Sequence, residues 1–162
     1  MAASASGLAA AAGLAWWLGR GDPADQALAE LLGQQLPRPD GSALSLAGFR
    51  GQPLIVNFWA TWCPPCVREM PEVDRFAAEW APRGGKVLAL AIDRADAVRR
   101  FLDRTPVAMP VAVAGYDALP LLGRLGNAGG ALPFTLLADA GGRIRRRRLG
   151  ATSLEELRAW TA

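Results

Sequence analysis

The spacing of apolar positions changes several times along the chain, and each change marks an element. Residues 54–59, Leu54-Ile55-Val56-Asn57-Phe58-Trp59, are a nearly unbroken apolar run. That pattern predicts a strand buried on both faces. The period then switches to three and four, with Val67, Met70, Val73, Phe76, Ala77 and Trp80 on one stripe. This is a helix starting at Pro64, with Pro71 inside it as an expected kink and Gly84-Gly85 as its stop. Residues 86–92 read as a second buried strand, and 95–104 as a helix with Val98, Phe101 and Leu102 turned inward. A short strand over 109–113 and a short helix over 117–125 follow. Strands at 134–138 and 143–149 flank a turn at 139–142. Ser153 with Glu156 three residues on forms a capping box for a last helix, in which Leu154, Leu157 and Trp160 face inward.

The earlier part of the chain has its own signals. Asp22-Pro23 starts a connector helix within 21–35. Ala27, Leu28, Leu31 and Leu32 form its stripe, and Gly33 closes it. Residues 36–39 are extended, Asp40-Gly41 is a turn, and 43–46 return as the second arm of a short hairpin. Before all of this, residues 2–19 carry no charge. That length suits a spanning helix, and Trp16-Trp17 suit a headgroup interface. A cleaved signal peptide is the rival reading, although no Lys or Arg precedes the apolar run. A soluble N-terminal helix is the third. The expected organisation is a membrane anchor or signal segment over 1–20, the connector over 21–35 and one domain over 36–162. Anchor and signal alike place that domain outside the cytoplasm, where dithiols meet an oxidising environment.

Composition narrows the chemistry. Of 162 residues, 51% are apolar and 20% charged, enough for a packed core without disulfide staples. The net charge of +3 does not argue for nucleic acid. The run Arg145-Arg146-Arg147-Arg148 is better read as charge that protects an edge strand from pairing. There is no His, which excludes a Ser-His-Asp triad and any His-ligated zinc site. The two cysteines, Cys63 and Cys66, are too few for a structural zinc site and point to redox chemistry.

Cys63 and Cys66 stand where the strand hands over to the helix. Residues three apart on a helix share a face, so the sulfurs can reach disulfide geometry with little backbone movement. Cys63 falls at the helix N-terminus, where free N–H groups and the helix dipole favour a thiolate. In such motifs a thiol pKa of about 8.5 falls to between about 3.5 and 7.5. Pro64 and Pro65 remove two N–H donors and leave that of Cys66, so a moderate depression is expected. Cys63 is then the attacking nucleophile and Cys66, deeper in the helix, the resolving thiol. An idle buried bridge is the bland alternative. Trp62 is expected to face partners, and Trp59 the core.

The stretch Phe58-Trp59-Ala60-Thr61-Trp62-Cys63-Pro64-Pro65-Cys66 resembles the active-site motif of the thioredoxin superfamily. Pro39-Asp40-Gly41-Ser42 with Leu44-Ser45-Leu46 and Gly51 resembles the N-terminal hairpin of its TlpA/ResA-like branch. Leu132-Pro133-Phe134-Thr135-Leu136-Leu137 with Asp139 and Gly142 resembles that branch's cis-proline loop and following strand. The resemblance covers residue 36 to the C-terminus. It implies an α/β thioredoxin fold with an N-terminal β-hairpin extension and a central αβ insertion, preceded by the N-terminal hydrophobic helix. It also implies a membrane-anchored or exported thiol–disulfide oxidoreductase that reduces partner disulfides, as in cytochrome c maturation.

Carried over by position, Cys63 resembles the nucleophile, Cys66 the resolving thiol, Glu69 the active-site acid and Pro133 the cis-proline. Trp62, Pro64, Pro65, Leu132 and Pro133 would contact the substrate, with the Leu132 backbone free to pair with an extended segment. Glu69 lies one helical turn beyond Cys66, so desolvation and a nearby thiolate should raise its pKa towards a proton-shuttling range. The bland reading makes it a surface residue paired with Arg68 or Arg75. Asn57 stands where thioredoxin has a buried Asp and cannot ionise, which shifts proton handling onto Glu69. Phe134 departs from the smaller residue common there. No metal or cofactor is expected beyond the Cys63–Cys66 redox disulfide. The expected partners are disulfide-containing exported proteins, a membrane electron donor and, through the N-terminal segment, the membrane, with the chain itself a monomer. The alternatives are a thiol peroxidase and a metal-delivery or assembly chaperone. Against the first, Ala60 occupies the place where peroxiredoxins want Thr. Against the second stands the lack of His.

Overall fold

The computed structural model describes residues 21–162. The anchor or signal reading of residues 1–20 lies outside that range. Among the described residues no helix is long and apolar enough to cross a membrane.

Five strands form the main sheet. The unbroken apolar run becomes its centre, β3 (Leu54–Trp59), every residue of which is buried. β4 (Lys86–Ala91) runs parallel beside it, and β5 (Val111–Val113) parallel beside β4. On the other side β6 (Phe134–Ala138) pairs antiparallel with β3, and β7 (Ile144–Leu149) antiparallel with β6. A separate two-stranded ribbon, β1 (Gln35–Pro37) with β2 (Ala43–Ser45), is the expected hairpin. Gly41 takes φ 86° at its turn, a conformation open to glycine at little cost. Asp40 accepts from the Ser42 hydroxyl at 2.7 Å and from its N–H at 2.9 Å, and these hydrogen bonds lower its pKa.

Helices cover both faces because β3 is apolar on both. On one face lie α2 (Pro64–Trp80), α3 (Ala95–Leu102) and α5 (Leu154–Trp160), which bury Met70, Val73, Phe76, Phe101 and Leu157 against Ile55 and Trp59. On the other lie α1 (Pro23–Leu31) and α4 (Leu119–Arg124), over Val56, Phe58, Leu88 and Leu136. The stretch read as a connector thus supplies a layer of the fold. Ala27, Leu28 and Leu31 of α1 are fully or almost fully buried. Asp22 caps α1 by accepting from the Ala24 N–H at 2.8 Å, and Asp25 accepts from the Ile144 N–H at 2.8 Å at the start of β7.

α2 runs without interruption through Pro71, whose side chain is exposed. It gives way to a 3₁₀ turn, Ala81–Arg83, and then to Gly84 at φ 82°. Gly85 lies flat beneath the Trp80 indole, where any Cβ would overlap the ring. β7 is the edge strand that the arginine run suggested. Its four arginines are all exposed, and two of them also tie the edge to neighbouring segments. Arg145 Nε donates to Asp139 at 2.7 Å, and Arg147 Nε crosses to the Leu125 carbonyl at 2.8 Å.

Candidate active site

The parallel strands of the sheet all end on one rim, and the dithiol sits there. β3 ends at Trp59, and Ala60, Thr61 and Trp62 carry the chain to Cys63, the N-cap of α2. Pro64 and Pro65 take the first helical positions, where their missing N–H groups cost nothing. Cys63 and Cys66 form a disulfide with Cα atoms 5.3 Å apart. The Cys66 N–H points at Cys63 Sγ from 3.4 Å. It is the donor that the two prolines were expected to leave. Cys66 is fully buried, Cys63 is 4% exposed, and Trp62 beside it is 56% exposed. Trp59 packs in the core against Phe101, with ring centroids 5.2 Å apart.

The turn before Cys63 is held by a residue the sequence reading passed over. Asp93, at the end of β4, accepts from the Thr61 N–H at 2.9 Å and its hydroxyl at 2.6 Å. It also accepts from the Tyr116 hydroxyl at 3.3 Å. A carboxylate just after a strand reads only as punctuation in sequence, so no local signal marks this contact.

The Leu132–Pro133 peptide bond is cis. The Pro133 carbonyl accepts from the Gly150 N–H at 2.9 Å, which ties the loop to the end of β7. Among the described residues Leu132 makes no backbone hydrogen bond. The Phe134 ring turns away from this loop and stacks on Phe58 at 5.7 Å in the opposite core.

Glu69 is not on the surface. It is 3% exposed, and Arg75 pairs with Glu79 instead, at 3.1 Å. Its Oε1 accepts from Asn57 Nδ2 at 2.7 Å. Its Oε2 accepts from the Thr152 N–H at 2.6 Å and hydroxyl at 3.1 Å. Asn57 Nδ2 also donates to Thr135 Oγ1 at 3.0 Å. Burial pushes the Glu69 carboxyl above the usual carboxylate range, while the bonds from Thr152 and Asn57 pull it part of the way back. Glu69 follows Cys66 by one turn of α2, so a carboxyl of raised pKa stands in the same buried wall as the resolving sulfur. Thr135 and Thr152 were missed from sequence, since they reach this cluster from 78 and 83 residues away.

Comparison with known proteins agrees with this geometry. The Redoxin family matches residues 20–159. The chain belongs to the Redoxin family. The thiol–disulfide oxidoreductase ResA of Bacillus thuringiensis is 30% identical over 122 residues, 75% of this chain and 68% of the relative. The structure of a thioredoxin-related protein from Neisseria meningitidis serogroup B superposes with a TM-score of 0.68 at 28% identity, covering 78% of this chain and 94% of that one. A thiol:disulfide interchange protein of the thioredoxin family from Chlorobium tepidum superposes with a TM-score of 0.65 at 28% identity, covering 76% and 86%. This Redoxin-family chain is therefore a TlpA/ResA-like thiol–disulfide oxidoreductase of thioredoxin fold.

Proposed function

We propose that the enzyme works as a reductase of protein disulfides outside the cytoplasm, in steps such as cytochrome c maturation. The observation that carries the direction is the sparse donor set on Cys63. Among the described residues a single N–H, that of Cys66 at 3.4 Å, reaches its sulfur. Strong oxidants of this chemistry owe their potential to a heavily stabilised reduced form. One hydrogen bond, with two prolines in place of further donors, stabilises a thiolate only moderately. The uncharged stretch over residues 2–19 supports export or tethering.

The cycle follows from the positions. The Cys63 thiolate attacks one sulfur of the partner's disulfide. That S–S bond breaks, a mixed disulfide forms, and the partner's other sulfur leaves as a thiolate that takes up a proton. Cys66 gives its proton to Glu69 and attacks Cys63 Sγ. The mixed bond breaks, and the partner's remaining sulfur leaves. The partner has gained two electrons, and the enzyme holds the Cys63–Cys66 disulfide until a membrane electron donor reduces it. Leu132, with its unused backbone groups, and the exposed Trp62 bind the segment around the partner cysteine. Pro64, Pro65 and Pro133 border that groove.

The midpoint potential tests the direction. A value near about −270 mV fits a reductase, and one near about −120 mV would make the protein an oxidant. Trapping with Cys66→Ser in cells should leave exported proteins disulfide-bonded to Cys63. Capture of cytoplasmic proteins alone would contradict the compartment.

A further inference from the structure

Glu69 is held from two sides that differ in what they permit. Oε2 faces the Thr152 backbone N–H at 2.6 Å, and a backbone N–H can only donate. The Thr152 hydroxyl adds a second donor to Oε2 at 3.1 Å, and the carbonyl oxygen of a neutral carboxyl accepts more strongly than its hydroxyl oxygen, so both bonds are kept best with Oε2 as the carbonyl of the acid. A proton arriving on Glu69 belongs on Oε1. That oxygen faces Asn57 Nδ2 at 2.7 Å, and Nδ2 spends its second hydrogen on Thr135 Oγ1 at 3.0 Å. Once Oε1 carries a hydrogen aimed at Asn57, two donors oppose each other.

Asn57 can remove the conflict without moving its backbone. The N and O ends of its amide are nearly equal in size, and a half-turn about Cβ–Cγ exchanges them. Its Oδ1 is buried with no hydrogen-bond partner among the described residues, so no bond on that side resists the turn. After it, Oδ1 accepts from Glu69 Oε1–H and from the Thr135 hydroxyl, which can donate as readily as accept. Two hydrogen bonds are exchanged for two. Either orientation leaves the far end of the amide without a partner, the carbonyl oxygen in one and the NH2 group in the other.

We propose that Asn57 is a positioning residue whose amide turns over each time Glu69 gains or loses its proton, with the Thr135 hydroxyl reversing in step. This rests on the reading of Glu69 as the proton acceptor for Cys66. In that step the S–H bond of Cys66 breaks, the O–H bond of Glu69 forms, and the electron pair stays on sulfur for its attack on Cys63. The turned amide then holds the acid form by an O–H···O bond while the mixed disulfide is displaced. The titratable groups around the carboxyl are Cys66, one turn earlier on α2, and Glu156 of α5, whose charge also disfavours ionisation. Glu156 lies 3.8 Å from Arg148 of β7. β3 and β6 face Glu69 with the neutral Asn57 and Thr135.

The test follows the Asn57 side chain by NMR in the isotopically labelled full chain, reduced, through a pH titration that also reads the Glu69 carboxyl carbon. The expected result is loss of the Nδ2–H···Oε1 coupling as pH falls, with the same midpoint as the carboxyl. Glu69→Gln gives a second arm. Its side-chain carbonyl keeps the Thr152 N–H and its amide donors face Asn57, so Asn57 should stand turned over at every pH and match the acid form of the wild type. An Asn57 whose Nδ2–H bond persists through the wild-type titration would overturn the proposal, whether or not the variant folds. Unchanged thiol-exchange rates in Glu69→Gln would instead remove Glu69 as proton acceptor and leave the amide titration to be judged by itself.

Discussion

The two faces of β3 are built from adjacent residues and are opposite in character. Leu54, Val56 and Phe58 point into an apolar layer with Leu88, Leu90, Phe134 and Leu136. Ile55 and Trp59 point the other way, and between them stands Asn57 with Glu69, Thr135 and Thr152 gathered round it. Burying a carboxyl in that layer costs stability that a hydrocarbon would not. The difference teaches that the α1/α4 face supplies cohesion, whereas the α2/α5 face gives up some cohesion to keep a titratable group beside the dithiol.

The largest effect should come at the rim where the chemical face meets solvent. Cys63→Ser should abolish turnover, because Cys63 keeps 4% exposure at the rim where Cys66 has none. Cys66→Ser should stop the reaction at the mixed disulfide, visible as a covalent adduct on a non-reducing gel. Turnover by Cys63→Ser would mean that the attacking thiol had been misassigned.

Next is the cohesive face. Phe58→Ala removes a fully buried ring stacked on Phe134 at 5.7 Å. A loss of about 3–5 kcal/mol is expected in denaturant unfolding of the oxidised protein. Thiol exchange per folded molecule should stay near the wild-type rate. A large loss of exchange at full folding would show that the two faces are not separable.

What could be read in advance follows the same division. The period change at Pro64, the short spacing of the cysteines and the one-turn step to Glu69 are local patterns, and the elements they indicated formed. The antiparallel partners β6 and β7 were legible from a turn between two apolar or charged runs. Thr135 and Thr152 were not, because a threonine carries no sign of which carboxylate it will meet across the fold. Asp93 was hidden in the same way, since its bonds to Thr61 depend on two strand ends meeting at one rim. The layer role of α1 was also hidden. Its stripe is short, and only the sheet beneath it shows that it is needed.

Glu69→Gln should act in the opposite sense to Phe58→Ala. The second step, release of the mixed disulfide, should slow by about 10²-fold or more, the usual share of a positioned proton acceptor. Stopped-flow tryptophan fluorescence can follow that step, with the exposed Trp62 beside Cys63 as the reporter. Unfolding free energy should change far less than for Phe58→Ala. A rate within twofold of wild type would make the polar cluster a structural feature only.

The smallest effect is in the pH dependence of stability, and its sign is informative. Glu69 has a folded pKa raised chiefly by burial, so the native state prefers the neutral acid more than the unfolded chain does. Below the unfolded carboxylate value, about 4.3, both states hold the proton and this stabilisation is fully present. As pH rises from there through the folded value it is lost, at no more than about 1.4 kcal/mol per pH unit. Glu79, Asp96 and Asp139, held low by arginine or backbone partners, push the total the other way. The informative quantity is therefore wild type minus Glu69→Gln, measured by denaturant unfolding of the oxidised protein at matched ionic strength. That difference should become less favourable to the wild type as pH rises above about 4.3 and then level off. A difference that grew in favour of the wild type would mean that the bonds from Asn57 and Thr152 outweigh burial. The cluster would then hold Glu69 as a weakly basic carboxylate, and proton transfer from Cys66 to it would have little driving force at neutral pH.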